Sequence, residues 1–155
     1  MKLYSVLFIA AVIGFIACKK TSSGDPVPKI AYSGLSKDSV VNAGKDTISI
    51  MFTIVDGDGD MPFDDDSTKE IFIRDSRTPT NAEIGLKMPE FPKGLVKDGQ
   101  SLDMKCTINL DAFTYFVLRP SRPNGDTLSF DIYVKDRAGN KSNMITTRPI
   151  YIQPT

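Results

Sequence analysis

The sequence contains no histidine and no tryptophan among its 155 residues. Without histidine, the chain can form neither a Ser-His nor a Cys-His catalytic pair, and it lacks the usual nitrogen ligand of zinc. Without tryptophan, it lacks an aromatic side chain that commonly stacks on sugars. The two absences together disfavour a hydrolytic enzyme and a zinc site.

The chain also lacks an apolar run long enough to span a bilayer, which needs about 20 residues. The run at residues 3–16 has 14 residues. Lys2 precedes it and Ala17 ends it, and a positive start, a short apolar middle and a small residue are typical of a secretory signal peptide. We therefore expect residues 1–17 to be removed from the mature protein.

The end of this region, Phe15-Ile16-Ala17-Cys18, resembles the lipobox of bacterial lipoproteins. The resemblance implies cleavage before Cys18 and attachment of lipid to its sulfur, so that the protein is anchored to a membrane without spanning it. Lys19 and Lys20 favour the outer membrane of the cell envelope. The alternative is a plain secretory signal followed by a chance cysteine.

The segment 18–28 is rich in serine, glycine and proline, and we interpret it as the lipidated Cys18 followed by a flexible tether. Residues 29–155 then suit one domain. Once Lys2 is removed, 18 basic and 19 acidic side chains remain, a net charge of minus one. No cluster of arginine and lysine is interleaved with aromatic residues, so nucleic-acid binding is disfavoured.

Lipidation of Cys18 leaves Cys106 as the remaining cysteine, so the mature chain has no pair for an intramolecular disulfide. Cys106 lies in an alternating apolar series with Met104, Ile108 and Leu110. This pattern predicts a strand whose thiol faces the core, rather than a reactive cysteine.

The most unusual stretch is residues 56–66, Asp-Gly-Asp-Gly-Asp-Met-Pro-Phe-Asp-Asp-Asp, which has six acidic residues and no basic one. Two carboxylates about 6 Å apart repel by roughly 3 kcal/mol at an effective dielectric constant of 20. Asp56, Asp58 and Asp60 alternate with glycines that let the backbone turn these side chains toward one centre. That spacing is typical of a calcium loop, in which alternate residues supply oxygen ligands.

The match to a helix-loop-helix calcium site is partial. Met61 stands where glycine is expected, and Ser67 stands where a bidentate glutamate is expected. Asp65, Asp66 and Glu70 are candidates for the missing oxygens. We predict a calcium site with a dissociation constant of about 10⁻⁴ to 10⁻³ M, and the alternative is a solvated acidic turn.

Alternating apolar residues predict several strands and no convincing helix. The predicted strands are residues 48–54, 69–75, 104–110, 112–118, 126–136 and 144–152. Residues 76–100 contain prolines and glycines and are interpreted as an irregular connection with one short edge strand, and Pro149 suits an edge position. Short strands separated by turn signals predict an all-β fold, an antiparallel β-sandwich of about seven strands.

The end of the chain resembles the last hairpin of bacterial immunoglobulin-like and cadherin-like domains. The resemblance covers residues 125–152 and includes Val-Lys-Asp-Arg-Ala-Gly-Asn-Lys-Ser-Asn at 134–143. With the acidic stretch after an early strand, the chain is also similar to small bacterial surface lipoproteins, whose usual Asp-Gly-Asp-Ile-Gly is here Asp58-Gly59-Asp60-Met61-Pro62. The resemblance implies an immunoglobulin-like sandwich.

In such a sandwich, the loop after the second strand and the loop between the last two strands lie at the same pole. Asp136 and Asn140, in the tight turn 136–140, are therefore expected near the acidic stretch, where they would complete the coordination of the cation. The alternative for these two residues is ordinary hydrogen bonding within the turn. The predicted cation ligands are Asp56, Asp58, Asp60, Asp64, Asp66, Asp136 and Asn140.

Three functions are consistent with these features. The first is a non-enzymatic lipoprotein module with a calcium-stabilised pole that binds an envelope protein or a glycan. The second is a structural subunit of an envelope assembly that docks through an edge strand. The third is a glycoside hydrolase with paired carboxylates. The polar, glycine-rich acidic stretch disfavours the third, because a hydrolase needs one carboxyl group kept protonated in an apolar pocket.

Overall fold

The computed structural model describes residues 24–61, 68–78, 80, 82–89 and 99–155. The predicted signal peptide, Cys18 and residues 19–23 of the predicted tether lie outside these ranges. No helix within them is long and apolar enough to cross a membrane. The secondary structure comprises β1 (Lys29–Leu35), β2 (Ser39–Val41), β3 (Thr47–Asp56), β4 (Ile71–Asp75), β5 (Ile84–Leu86), β6 (Leu102–Asp111), α1 (Ala112–Tyr115), β7 (Asp126–Leu128), β8 (Phe130–Val134), β9 (Ile145–Thr146) and β10 (Ile150–Gln153).

The first sheet has the order β1-β3-β6, with both pairs antiparallel. Its central strand, β3, has strict period-two alternation, and every second side chain from Ile48 to Ile54 is buried while those between them are at least partly exposed. β-branched and aromatic residues at alternate positions are the pattern that a half-buried strand favours. The alternation that the sequence predicts for residues 48–54 is therefore confirmed.

The second layer contains two strand groups, β5-β4-β8-β9 and β2-β10-β7. They are continuous, because only Ser129 separates β7 from β8, and the Thr147 amide donates to the Phe130 carbonyl at 2.9 Å between β9 and β10. The pairing register shifts by one residue between Asp131↔Thr146 and Leu128↔Ile150. This shift is a β-bulge, and Pro149 lies in the break between β10 and β9, the outermost strand of its group.

The strand order is that of an immunoglobulin-like sandwich. β1, β3 and β6 correspond to the first, second and fifth strands of that fold and share one sheet, whereas β4, β7/β8 and β9/β10 correspond to the third, sixth and seventh and share the other. β2 adds to the second layer by pairing parallel to β10. The predicted all-β, immunoglobulin-like fold is confirmed, and the described ranges contain ten strands because several are split or only two or three residues long.

One hydrophobic cluster fills the space between the two sheets. The first sheet contributes residues such as Phe52 and Leu110, and the second contributes Ile73, Phe130 and Ile132, all of them almost fully buried. Sandwich cores of this kind form when the inward faces of both sheets interdigitate. Cys106 on β6 is half-buried and packs against the same cluster, and burial raises the pKa of its thiol to about 11, so the prediction that its thiol faces the core is confirmed.

The prediction of a strand at residues 112–118 is wrong. The chain forms α1 there, and the Asp111 side chain caps this turn by accepting a hydrogen bond from the Thr114 amide at 2.8 Å. Phe116 is fully buried, whereas Phe113 and Val117 remain exposed, so the run of apolar residues does not mark a two-sided strand. Local capping by Asp111 outweighs the β propensity of the aromatic residues.

Candidate functional site

The acidic stretch begins inside the sandwich, because Asp56 occupies the next inward position of β3 after Ile54. It pairs across the strands with Leu102 and its side chain is fully buried. Side chains two residues apart on a strand face the same way, so the strand directs this carboxyl group into the core and not into solvent. A buried aspartate at the end of an apolar face is the starting point of the site.

The chain then turns so that Asp58 and Asp60 face the same region. Gly59 has a φ of 65°, a left-handed conformation that costs glycine nothing. Met61 follows with its side chain fully buried in the core cluster, which fixes the far side of the turn. This packing explains why an apolar residue stands where a helix-loop-helix calcium site has glycine.

The three carboxylates converge. One oxygen from each of Asp56, Asp58 and Asp60 lies within 4.8 Å of the others, and this cluster could hold a metal ion. Both oxygens of Asp56 and one oxygen of each of the other two are buried without a hydrogen-bond partner among the residues the structure describes. A buried polar group left unsatisfied costs about 1–3 kcal/mol, and a charged one costs more.

Two carboxyl groups of the cluster, those of Asp56 and Asp60, have raised pKa values. Burial, and then the negative charges of Asp58 and Asp60, raise the pKa of Asp56 to about 6. The Met61 amide acts in the opposite direction but does not reach hydrogen-bonding geometry. Burial, followed by the charge of Asp136, also raises the pKa of Asp60. Ionisation of all three carboxyl groups is therefore unfavourable unless a cation binds between them.

The second sheet supplies a matching aspartate. Asp136 continues the inward face of β8 after Val134 and is fully buried. Its carboxylate accepts hydrogen bonds from the Asn140 amide at 2.7 Å and the Asn140 side-chain nitrogen at 2.8 Å. Asp60 in turn accepts from the Ala138 amide at 3.0 Å, so the two loops meet at one pole as the fold implies.

The contacts of Asp136 are those of turn chemistry, the alternative raised by the sequence, and a ligand function for Asp136 and Asn140 stays a prediction. Asp64 and Asp66, also predicted as ligands, lie outside the described residues. Glu70, a candidate for a missing oxygen, points elsewhere. Its carboxylate accepts from Lys87 at 2.7 Å and from the Met88 amide at 2.9 Å, and its side chain is fully buried.

Sequence reasoning missed a contribution from the predicted tether. The Asp25 carbonyl accepts a hydrogen bond from the Gly57 amide at 3.0 Å, and the Pro26 carbonyl accepts from the Asn140 side chain at 3.4 Å. Pro28 is buried. The polar composition of this segment gave no apolar periodicity from which docking could be inferred.

Sequence reasoning also missed an ionic cluster around the buried Asp126 in the second layer. Asp126 accepts two hydrogen bonds from Arg119 at 2.8 Å. Arg77 lies 3.4 Å from the Asp126 carboxylate and also donates hydrogen bonds to the Asp75 carboxylate. These contacts, Arg119 first, hold the pKa of Asp126 well below its usual range. An open cleft of about 550 Å³, lined by Arg119, Arg122 and Tyr151 among others, lies beside the cluster. Because its charges are paired internally, we interpret the cluster as structural.

No protein-family model and no curated protein matches the sequence. Among solved structures, the crystal structure of a Niemann-Pick type C2 protein from the Japanese carpenter ant is similar, with 14% identity and a TM-score of 0.38, over 85% of this chain and 97% of that one. A likeness this low carries no argument about function. The strand pairing and the pole define the class: an immunoglobulin-like β-sandwich with a cluster of one buried and two half-buried aspartates at one pole.

Proposed function

We propose that this protein is a non-enzymatic binding module, held by lipid on Cys18 at the outer membrane of a bacterial cell envelope, whose acidic pole is stabilised by calcium. The observation that carries the calcium part is the fully buried Asp56, both of whose oxygens lack a hydrogen bond beside Asp58 and Asp60. A hard cation that prefers oxygen ligands offsets the cost of burying these charges together.

The donor atoms of the cluster favour a hard cation such as calcium. One oxygen from each of Asp56, Asp58 and Asp60 lies within 4.8 Å of the others, close enough for the three to share one ion. The absence of histidine from the sequence leaves an all-oxygen donor set, which is the preference of calcium and not of zinc.

The burial of the site supports binding rather than catalysis. A glycoside hydrolase needs a protonated carboxyl group that touches the sugar. Asp56 has the raised pKa of such an acid, but its side chain is fully enclosed and cannot contact a substrate. The cation therefore has a structural purpose in this proposal: it holds the loops of the pole in one arrangement that an envelope protein or a glycan recognises.

A second candidate, a structural subunit of an envelope assembly, is favoured by β6. Within the described ranges, this ten-residue strand pairs with β3 alone. An open strand edge can add a strand from another chain. A photocrosslinker placed at Lys105 on this strand should then form an adduct in intact envelopes at a rate well above one placed at Lys37, and equal rates would reject docking through this edge.

The calcium part is tested by thermal unfolding. With a dissociation constant of about 10⁻⁴ to 10⁻³ M, 10 mM calcium should raise the melting temperature by about 5 to 10 °C over chelated protein. Asp58→Asn should remove most of that rise. Asp38→Asn, which changes an exposed carboxylate outside the cluster, should keep it. A melting temperature of the unaltered protein that calcium does not change would reject the proposal.

A further inference from the structure

The segment Gly24 to Pro28 lies against both loops of the acidic pole. The Asp25 carbonyl accepts from the Gly57 amide at 3.0 Å, directly after Asp56. The Pro26 carbonyl accepts from the Asn140 side chain at 3.4 Å, in the loop between the last two strands. The segment therefore bridges the two loops from which the candidate ligands come.

The contact at Gly57 leaves no room for a side chain. A Cβ atom added there would lie 2.5 Å from the Asp25 nitrogen and from the Gly24 carbonyl carbon, and closer still to the Asp25 carbonyl oxygen. Seen from the other side, a Cβ on Gly24 would lie 3.0 Å from the Gly57 Cα atom. The φ of Gly57 is not in the left-handed region, so glycine is needed here for space and not for conformation.

The docked segment is also held in shape by its own contacts. The Asp25 carboxylate accepts from the Val27 amide at 3.1 Å and pairs with Lys29 at 2.9 Å, while Pro28 is buried. These bonds present the Asp25 and Pro26 carbonyls to the pole together. Because these contacts order the turn, its backbone can hold the adjacent acidic loop in one position.

We propose that residues 24–28 are a positioning segment for the cation loop, and that Gly57 is the position that admits it. Calcium affinity and docking of the segment are then coupled, because the cation fixes Asp56 and Asp58 on either side of Gly57 and the segment fixes Gly57 itself. Coupling of this kind is reciprocal: the segment strengthens cation binding by the same factor by which the cation strengthens docking. This inference rests on the proposed cation site.

Through this coupling, cation binding affects how far the acidic pole can lie from the membrane. Six residue steps separate Cys18 from Gly24, a length that spans at most about 20 Å. With the segment docked, the acidic pole is held within that distance of the lipid on Cys18. Release of the segment would add its residues to the tether and let the pole move farther from the membrane.

Calcium titration of the full-length protein in detergent tests the coupling. Gly57→Ala and Gly24→Val should each raise the calcium dissociation constant by about five- to tenfold, in the range of ordinary coupling between sites. Gly24→Val leaves the acidic loop unaltered, so it isolates the effect of the segment. Gly85→Ala is the matched control: its added Cβ would lie 3.0 Å from the Cβ and Cγ atoms of Lys69, as close a contact as at Gly24 but on β5, and it should change the constant by less than twofold.

Amide hydrogen exchange provides a readout that a general loss of stability would not reproduce. In the unaltered protein, calcium should slow exchange at the Gly57 and Val27 amides by about tenfold, and in Gly24→Val it should not slow Val27. If calcium binds the unaltered protein and both variants equally, the coupling is overturned and the cation site stands. If the unaltered protein shows no calcium response, the cation site falls and the coupling falls with it.

Discussion

Two buried aspartates show how burial and neighbouring charges together decide the pKa of a carboxyl group in this fold. Asp126 lies between Arg119 and Arg77, which lower its pKa. Asp56 is buried more deeply than Asp126, and this burial, followed by the charges of Asp58 and Asp60, raises its pKa to about 6. The first is a satisfied structural anion, and the second is a negative charge without a counter-charge among the described residues.

Replacing Asp56 should have opposite effects with and without calcium. In chelator at pH 7, Asp56→Asn should stabilise the protein by about 1 kcal/mol, because it removes a buried charge from beside two others. In 10 mM calcium, the unaltered protein should be the more stable of the two, because only it binds the ion. Urea unfolding in both conditions measures this, and a variant that is less stable in both would contradict the account of Asp56.

Replacing Asp126 should always destabilise, with a defined pH dependence. Asp126→Asn should cost about 2 kcal/mol at pH 7, since it weakens the two charge-assisted hydrogen bonds from Arg119 and the contact with Arg77. The pKa of Asp126 is lower in the folded than in the unfolded protein, so its contribution is present above about pH 4 and declines as the pH falls below that value.

The difference between the unaltered protein and Asp126→Asn in urea unfolding should therefore shrink from pH 7 to pH 2. Asp131→Asn is the control: Asp131 pairs with Arg74 at a more exposed position, and its loss should cost no more than about 1 kcal/mol. A constant difference across this pH range would show that Asp126 does not act through its charge.

At the scale of the element, regular alternation was predictable and interruptions of it were not. The inward faces of β3 and β6 follow from period-two spacing. β1 and β2 were not predicted, because a register shift between Tyr32 and Gly34 breaks the alternation of β1 and because β2 is only three residues long. The bulge at residues 147–149 likewise depends on pairing with a partner strand, which a single segment does not encode.

The short helix α1 gives an element-scale prediction. Phe116 is fully buried and packs edge-on against Phe130 with ring centroids 6.0 Å apart, whereas Phe113 is 74% exposed. Phe116→Ala should therefore cost about 3–5 kcal/mol of unfolding free energy, and Phe113→Ala should cost less than about 0.5 kcal/mol. Urea unfolding of the two variants measures the contrast. Similar costs would indicate that both rings are buried, as the predicted strand with apolar groups on both faces requires.

At the scale of the whole molecule, the candidate site is assembled from three parts of the chain that are distant in sequence. The convergence of Asp60 with the turn at Ala138 was predictable, because the resemblance to an immunoglobulin-like fold places those loops at one pole. The docking of Asp25 on Gly57 was not, because backbone hydrogen bonds and the space above a glycine leave no mark in composition. The chain that leads to Cys18 therefore begins at the same pole as the acidic cluster.

In the proposed function, the lipid on Cys18 determines where the molecule lies, and the two cysteines provide a matched test of that proposal. Cys18→Ser should move the protein from the membrane fraction to the soluble fraction of a bacterial host, because the sulfur that would carry lipid is gone. Cys106→Ser should leave it in the membrane fraction, because that thiol packs against the core and burial raises its pKa to about 11. Fractionation followed by immunoblotting measures both. A Cys18→Ser protein that still sediments with membranes would show that another contact, and not an acyl chain, holds the domain there.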